Sequence, residues 1–412
     1  MDDNNIGEVL KMIDAIILHA IQTKPDLIVV AGDLTHSQNT KLDSRSSRSM
    51  IDVITQLSQI APVIVIIGTP SHDGLCAEIL NTIPYEGISG RTVVVSTRPD
   101  FYHIVDGEIF TRDQVLEMDN SETEFVVSTL PTPTKQFFPQ VDCSIGESDK
   151  QISNAITQIF AGFAAMAVEY PNAPHIHVGH YQIRGSKISE TQTLVGADIE
   201  ITTAQLAFLN ADVIALGHIH KAQEMIIQEF IEQSGKNAFY PGSVTHNTFG
   251  ELDEKGFYMH EFIGDKLLPD FQRNSEFVVL PARELHIIRK NFLERPVDQA
   301  EIENGLKDDL EGSWLKIEIN IWHDEVRQIN QATLEDHFLN KGCDRVVIDL
   351  IRKPREAIRS ERVLEAETLP EKIIEMGKIK DEEIPNTILL KATSLEIMNA
   401  EDLYKKINEE NL

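Results

Sequence analysis

The chain has 412 residues, and its 66 Asp and Glu against 37 Lys and Arg give a formal net charge of −29. That length accommodates a full catalytic domain plus smaller modules, while the acidic balance works against long-range attraction of a phosphate backbone. No apolar run reaches membrane-spanning length, Met1-Asp2-Asp3-Asn4-Asn5 does not read as a signal peptide, and Cys76, Cys143 and Cys343 are too widely spaced for a disulfide framework or a Cys-zinc site, so the expected compartment is the cytoplasm.

Val9, Met12, Ile13, Ile16, Ile17 and Ala20 share one helical face, which predicts an amphipathic opening helix ended before Pro25. Strand and helix patterns then alternate, as expected of an α/β layered core with a largely parallel sheet. Ile152, Ile156, Ile159, Phe160 and Phe163 form the stripe of a helix over 152–168, and a short helix is expected over 205–210. Beyond Glu251 the pattern becomes hairpin-like, with a strand over 256–262 and a turn at Gly264-Asp265. Around Asn274 a second module begins, with strands at 314–319 and 345–351 flanking a helix over 328–339. Two amphipathic helices, from Pro370 to Gly377 and from Pro385 to Leu395 onward, close the chain.

Four apolar runs carry polar residues at their carboxyl ends, where open α/β sheets gather ligands. Leu27 to Gly32 leads into Asp33, and Val63 to Gly68 leads into Thr69-Pro70-Ser71-His72-Asp73. Ile176 to Gly179 leads into His180, and Ala211 to Leu216 leads into Gly217-His218-Ile219-His220. Carboxylate and imidazole donors suit Mn, Zn or Fe better than Ca. Taken singly, each has a plainer reading: Asp33 as a turn cap, a lone histidine as a satisfied core residue.

These motifs, in this order, resemble the SbcD-type nuclease subunits of SbcCD complexes, within the calcineurin-like metallophosphoesterase superfamily. The family motifs are Asp-x-His, Gly-Asp, Gly-Asn-His-Asp, a lone His and Gly-His-x-His. Gly32-Asp33, His180 and Gly217-His218-Ile219-His220 match the second, fourth and fifth. Lys221-Ala222-Gln223 after the His pair, Tyr240-Pro241-Gly242-Ser243 and Phe249-Gly250-Glu251 also resemble SbcD sequences. The resemblance implies a layered calcineurin-like core over 1–273, incomplete at its start, an α+β DNA-recognition cap over 274–358 and a helical ATPase-binding tail over 359–412. It implies two divalent metal ions, manganese or alternatively magnesium, clamping a phosphoryl displacement. Asp33 then bridges them, His180 and His218 share one with it, and His220 joins the other. His72 takes the catalytic position beside the metals and protonates the leaving sugar oxygen. Asp73 orients it or serves the turn. Implied partners are an SbcC-like ATPase, through the C-terminal helices, DNA, and a second copy of the chain in a homodimer. Arg352, Lys353, Arg355, Arg359 and Arg362 form the densest basic cluster, read as phosphate contacts or as a solvated helix start beside Glu356 and Glu361. His36, His103, His175, His177, His246 and His260 receive surface or packing roles.

Two departures from the family pattern bear on activity. Gly-Asn-His-Asp appears as Gly68-Thr69-Pro70-Ser71-His72-Asp73, with Ser71 in front of His72, a poorer ligand than a carboxamide or one acting through water. Asp-x-His is absent, which leaves Asp33 and His220 for one metal, too few for tight binding. A chain lacking its first strand would explain this, as would a metal-poor subunit. The expected function is therefore a DNA nuclease with 3′–5′ exonuclease activity on duplexes and endonuclease activity on single strands and hairpins. The alternatives are a small-substrate metallophosphoesterase and a catalytically impaired scaffold subunit of the same complex.

Overall fold

The computed structural model describes residues 6–83, 90–117, 123–133, 145–189, 192, 199–227, 237–268, 271–306, 310–355, 363, 365–380 and 382–397. The chain divides into two compact units, one of residues 1–287 with 310–315 and 342–345, the other of 288–309, 316–341 and 346–412.

The first unit is a mixed α/β structure whose core, among the described residues, is built on two sheets rather than one. A parallel three-stranded sheet runs β1 (Ile28–Val30), β2 (Val63–Ile66), β3 (Val93–Ser96). The helices α1 (Ile6–Thr23) and α2 (Arg45–Ser58) cover one of its faces; α2 starts where the Ser44 hydroxyl accepts from the Ser47 amide at 3.1 Å. Seven strands make the second sheet. They are β4 (Asp100–Val105), β5 (Glu108–Thr111), β6 (Phe125–Leu130), β7 (His175–His180), β8 (Val213–Gly217), β9 (Gln223–Ile226) and β10 (Asn237–Tyr240), in the order β5-β4-β6-β7-β8-β10-β9. The centre is parallel, but β4 runs antiparallel to both β5 and β6, and β9 antiparallel to β10, so the expected largely parallel sheet is corrected to a mixed one. Tight hairpins at both ends account for the difference, since neighbouring antiparallel strands need no crossover helix. After β5 comes the short α3 (Arg112–Val115); α4 (Ile145–Ala167) and α5 (Thr203–Ala207) follow β6 and β7.

Side-chain alternation explains the layering. Val63, Val65, Val93 and Val95 pack with Met50, Val53, Ile54 and Leu57 of α2, while Ile64, Ile66 and Val94 point to the other side. There they meet Tyr102, Ile104, Val127 and Val178 of the second sheet in a largely apolar sandwich. The far face of that sheet carries Phe101, Val126, Leu130, Ile214 and Leu216, covered by Ile152, Ile156, Phe160 and Phe163 of α4. The inner strands β2 and β3 read as near-continuous apolar runs because every one of their residues is buried.

The hairpin β11 (Gly256–Ile263) and β12 (Gln272–Val279) pairs in register from Gly256 with Val279 to Ile263 with Gln272. Position 274, where a new module is expected, lies within this hairpin. The second unit is built on the sheet β13 (Leu285–Asn291), β14 (Trp314–Trp322), β15 (Arg345–Lys353), with α6 (Gln299–Glu303) and α7 (Gln331–Leu339). Leu315, Ile317, Ile319 and Ile321 alternate with partly exposed neighbours, as the period-two pattern predicts. The predicted terminal helices are α8 (Leu369–Lys380) and α9 (Asn386–Ile397). Thr368 and Glu371 exchange hydrogen bonds as a capping box that starts α8. A side chain at Gly377 would collide with Ile384, so this glycine lets the chain fold back closely. Among the described residues no helix is long and apolar enough to cross a membrane.

Candidate active site

The carboxyl ends of four strands, two from each sheet, converge on one cluster. Asp33 follows β1, Thr69 follows β2, His180 ends β7, and His218 follows β8. In each case the preceding residue is a glycine: Gly32, Gly68, Gly179, Gly217. Three of these glycines are there for closeness. A Cβ on Gly32 or Gly217 would run into the His180 ring, and one on Gly68 would run into Asp33. Asp33 and His218 themselves hold left-handed backbone conformations, with φ of 55° and 89°. Such conformations cost about 1–3 kcal/mol each for residues with side chains and concentrate at functional sites.

His180 is almost wholly buried, yet its Nε2 stands 3.3 Å from Asp33 Oδ2. Its Nδ1 lies 2.6 Å from the Ala31 carbonyl oxygen. A carbonyl can only accept, so Nδ1 carries a proton and Nε2 is the atom presented to Asp33. Burial works to raise the Asp33 pKa, but the facing His180 imidazole, the His72 charge and the Thr69 amide (2.7 Å to Oδ1) hold it well below the usual carboxylate range. Burial likewise lowers the His180 pKa, and the Asp33 charge outweighs it and raises the net value. The Thr69 hydroxyl sits between the two imidazoles, 3.2 Å from His180 Nε2 and 3.4 Å from His218 Nδ1. The His180 and His218 rings meet edge to face at 5.3 Å. Burial, then the neighbouring His180, push the His218 pKa down to about 4, which keeps this imidazole a neutral donor.

Thr69 rather than Ser71 is the hydroxyl of this cluster. Ser71 is exposed, and its backbone carbonyl accepts from the Gln38 amide. Asp73 is buried and accepts from the amides of Thr35 (3.1 Å) and Gly68 (2.9 Å), with burial raising its pKa. It clamps together the loops after β1 and β2. The Thr35 hydroxyl adds a bond to the His72 carbonyl at 2.6 Å. His72 directs Nδ1 to the His36 carbonyl at 3.0 Å and so presents Nε2, as His180 does. His36, read from sequence as a surface or packing residue, thus positions His72 through its backbone, and its ring stands 6.1 Å away.

The second histidine of the pair is placed differently. Among the described residues the His220 imidazole faces Glu251, at 3.4 Å from Nδ1 to Oε1. Gln192 clamps this loop, donating to the His218 carbonyl at 2.7 Å and accepting from the His220 amide at 3.0 Å. Gln192 and Glu251 are site residues that sequence reasoning did not assign.

Among the described residues no three His, Cys, Asp or Glu side chains gather closely enough to hold an ion together. The donor chemistry nonetheless fits one: an ionised carboxylate, a buried imidazole with its tautomer fixed by a backbone carbonyl, a second neutral imidazole and a hydroxyl. Of the basic residues, Arg352 and Lys353 are exposed and make no ion pair among the described residues. Arg355 is engaged by Asp324 (3.1 Å) and Glu325 (2.9 Å), so its charge is already answered. Arg359 and Arg362 lie outside the described residues.

The chain is 24% identical over 297 residues to the SbcD component of the nuclease SbcCD from Staphylococcus epidermidis, a match covering 69% of this chain and 67% of that protein. No protein-family profile matches the chain.

Proposed function

We propose that this chain is the nuclease subunit of an SbcCD-like complex, a metal-dependent phosphodiesterase that acts on DNA ends. The observation that carries the reading is the convergence of Asp33, Thr69, His180 and His218 at four strand ends, bought with two strained backbones and three obligatory glycines. The similarity to the SbcD component of an SbcCD nuclease supports it. Asp33, His180 and His218 would hold one divalent ion, manganese by preference, with the Thr69 hydroxyl beside it, and His220 with Asp33 would serve a second. When bound, the metal supplies Lewis acidity and an acidified water. Asp33 enters this role already ionised. His72, in its imidazolium form, has Nε2–H available for the leaving sugar oxygen while Nδ1–H stays on the His36 carbonyl.

The finer expectations belong to the same reading: 3′–5′ trimming of duplexes, cutting of single strands and hairpins, a homodimer, a cytoplasmic site of action, and division into nuclease, cap and tail at 273 and 358. The helical tail supports partnership with an SbcC-like ATPase. Ile374, Met376, Ile379, Ile388, Leu390 and Leu395 of α8 and α9 are exposed, an apolar surface suited to a helix-in-groove contact. A second reading, the impaired scaffold subunit, is favoured by the absence of a three-residue ligand group among the described residues.

Digestion of end-labelled linear duplex DNA by the full chain with its ATPase, with Mn2+ and with chelator, separates the two. Manganese-dependent release of nucleotides that is lost in Asp33→Ala is the expected result. Intact ATPase binding without cleavage establishes the scaffold, and hydrolysis of small phosphoesters alone establishes the small-substrate enzyme.

A further inference from the structure

Beyond the cluster lies a second, buried polar assembly that the proposed chemistry does not use. Glu251 and Lys255 are each about 1% exposed and pair at 2.9 Å through Oε2. The Ser243 hydroxyl donates to the same Oε2 at 3.0 Å, and the Asn247 amide approaches it at 3.3 Å. Lys255 Nζ also reaches the His220 carbonyl at 3.4 Å, and the Ser243 amide donates to that carbonyl at 3.1 Å. Gly242, at φ 79°, lies directly against the same carbonyl, where a Cβ would come within 2.6 Å of it. The one remaining carboxylate oxygen, Oε1, faces His220 Nδ1 at 3.4 Å.

A buried ion pair is weak evidence of stabilisation, because desolvating both ions offsets their attraction. Its geometry here has a direction. Lys255, Ser243 and Asn247 occupy one oxygen of Glu251 and leave the other for a single partner, the His220 ring, whose side chain is one-third exposed. Lys255 Nζ at 2.9 Å and the Ser243 hydroxyl at 3.0 Å both donate to Oε2, which holds Glu251 as a carboxylate that can only accept.

We propose that Glu251, pinned by Lys255 and Ser243, is a positioning residue that acts through His220: it accepts the Nδ1 proton and so presents Nε2 to the candidate site. His72 and His180 obtain the same result from backbone carbonyls; His220 obtains it from a buried carboxylate, as imidazoles that bind metals commonly do. The inference gives the Tyr240-Pro241-Gly242-Ser243 and Phe249-Gly250-Glu251 segments a joint purpose. One seats the His220 backbone and the other sets its ring. It rests on the proposed function only for the use made of Nε2; the tautomer itself is a property of the metal-free protein.

The test is Glu251→Gln in the full chain. Lys255 is donor-only and would claim the amide oxygen, turning the amide NH2 toward Nδ1. Long-range 15N–1H spectra of histidine-labelled, metal-free protein should then show His220 moving from the Nδ1–H to the Nε2–H tautomer, with His180 unchanged. The parent chain should itself show His220 as the Nδ1–H tautomer, a readout that stands even should Glu251→Gln fold poorly. Mn2+ affinity by calorimetry should fall about 10- to 100-fold, the usual effect of losing such a partner. A parent His220 in the Nε2–H form, or an unaltered Nδ1–H tautomer in Glu251→Gln, overturns the inference. A flipped tautomer in a chain whose parent neither binds Mn2+ nor cuts DNA would leave the inference standing and remove the nuclease reading.

Discussion

His177 and His180 lie three residues apart on β7, both buried, and their environments drive them in opposite directions. His177 faces α4 and has neutral partners on both nitrogens, Ser128 Oγ at 2.9 Å and Tyr181 Oη at 3.0 Å. Burial, then the neighbouring His175, push its pKa well below the usual value. His180 faces the other sheet, spends one nitrogen on a carbonyl and turns the second to a carboxylate, and its pKa is raised. Strand parity separates them: His175 and His177 share the helix-covered face, while Val178 belongs to the sandwich between the sheets. Burial is common to both, so the partner decides which imidazole is held neutral and which is drawn toward its charged form.

The sharpest way to break this comparison is by activity. Replacing His72 with Ala should lower DNA cleavage by about 10²–10⁴-fold, the range for losing a general acid, while leaving DNA binding intact. Asp33→Ala should abolish metal-dependent cleavage. His177→Gln should reduce stability and leave the turnover of the remaining folded enzyme near that of the parent. Equal loss of turnover in His72→Ala and His177→Gln at full folding would show that the division between the two groups is wrong.

Stability should reverse the ranking. Ser128 bridges the His175 and His177 rings, at 2.8 and 2.9 Å. Ser128→Ala would deprive two buried rings of a partner, a loss of about 1–3 kcal/mol for each group left unsatisfied. Urea denaturation should show the midpoint falling with an unchanged slope. The site carries its own structural liability in Gly32, at φ 84° and packed on His180. Gly32→Ala should cost about 1–2 kcal/mol from the left-handed backbone alone, and more from the overlap.

Much of the site was legible because each member follows a strand-ending glycine. Gly32-Asp33, Gly179-His180 and Gly217-His218 match known motifs, but Gly68-Thr69 obeys the same rule, and that signal was available for Thr69. Reading back from His72 reaches Ser71, expected to be a poor ligand or one acting through water, and passes over Thr69, because two residues, Pro70 and Ser71, separate the strand-end position from the histidine. Glu251 was recognisable only as part of a family-like segment, since its contact with His220 spans 31 positions and no local pattern reports it. The apolar runs announced buried strands. They did not tell which sheet each joins, because a run buried on both faces has no alternation to reveal its neighbours. Helix stripes fared better: Ile152, Ile156, Phe160 and Phe163 are buried on α4 as the period predicted.

The finest discrimination between the two kinds of histidine is by pH. His103 lies in the same core, against Tyr170 at 4.5 Å and Phe101 at 5.4 Å, and neither ring nitrogen has a hydrogen-bond partner among the described residues. Burial, then the Arg112 charge, lower its pKa from 6.5 to about 4. Below pH 6.5 the unfolded chain takes up this proton before the folded one does, so the contribution of His103 is complete above that pH and is lost as pH falls toward 4. Within that window one such group changes stability by at most about 1.4 kcal/mol per pH unit. His103→Leu removes a group that is buried without partners, so stability at pH 7.5 should stay within about 1 kcal/mol of the parent. Between pH 6 and 4.5, roughly the middle of that window, its stability should fall less steeply than the parent's, by close to one proton in the linkage slope. Denaturant melts across pH measure this directly. A slope unchanged by His103→Leu would mean that the ring is solvated or paired in the folded state, and the contrast between β7's two ends could not then be extended to the rest of the core.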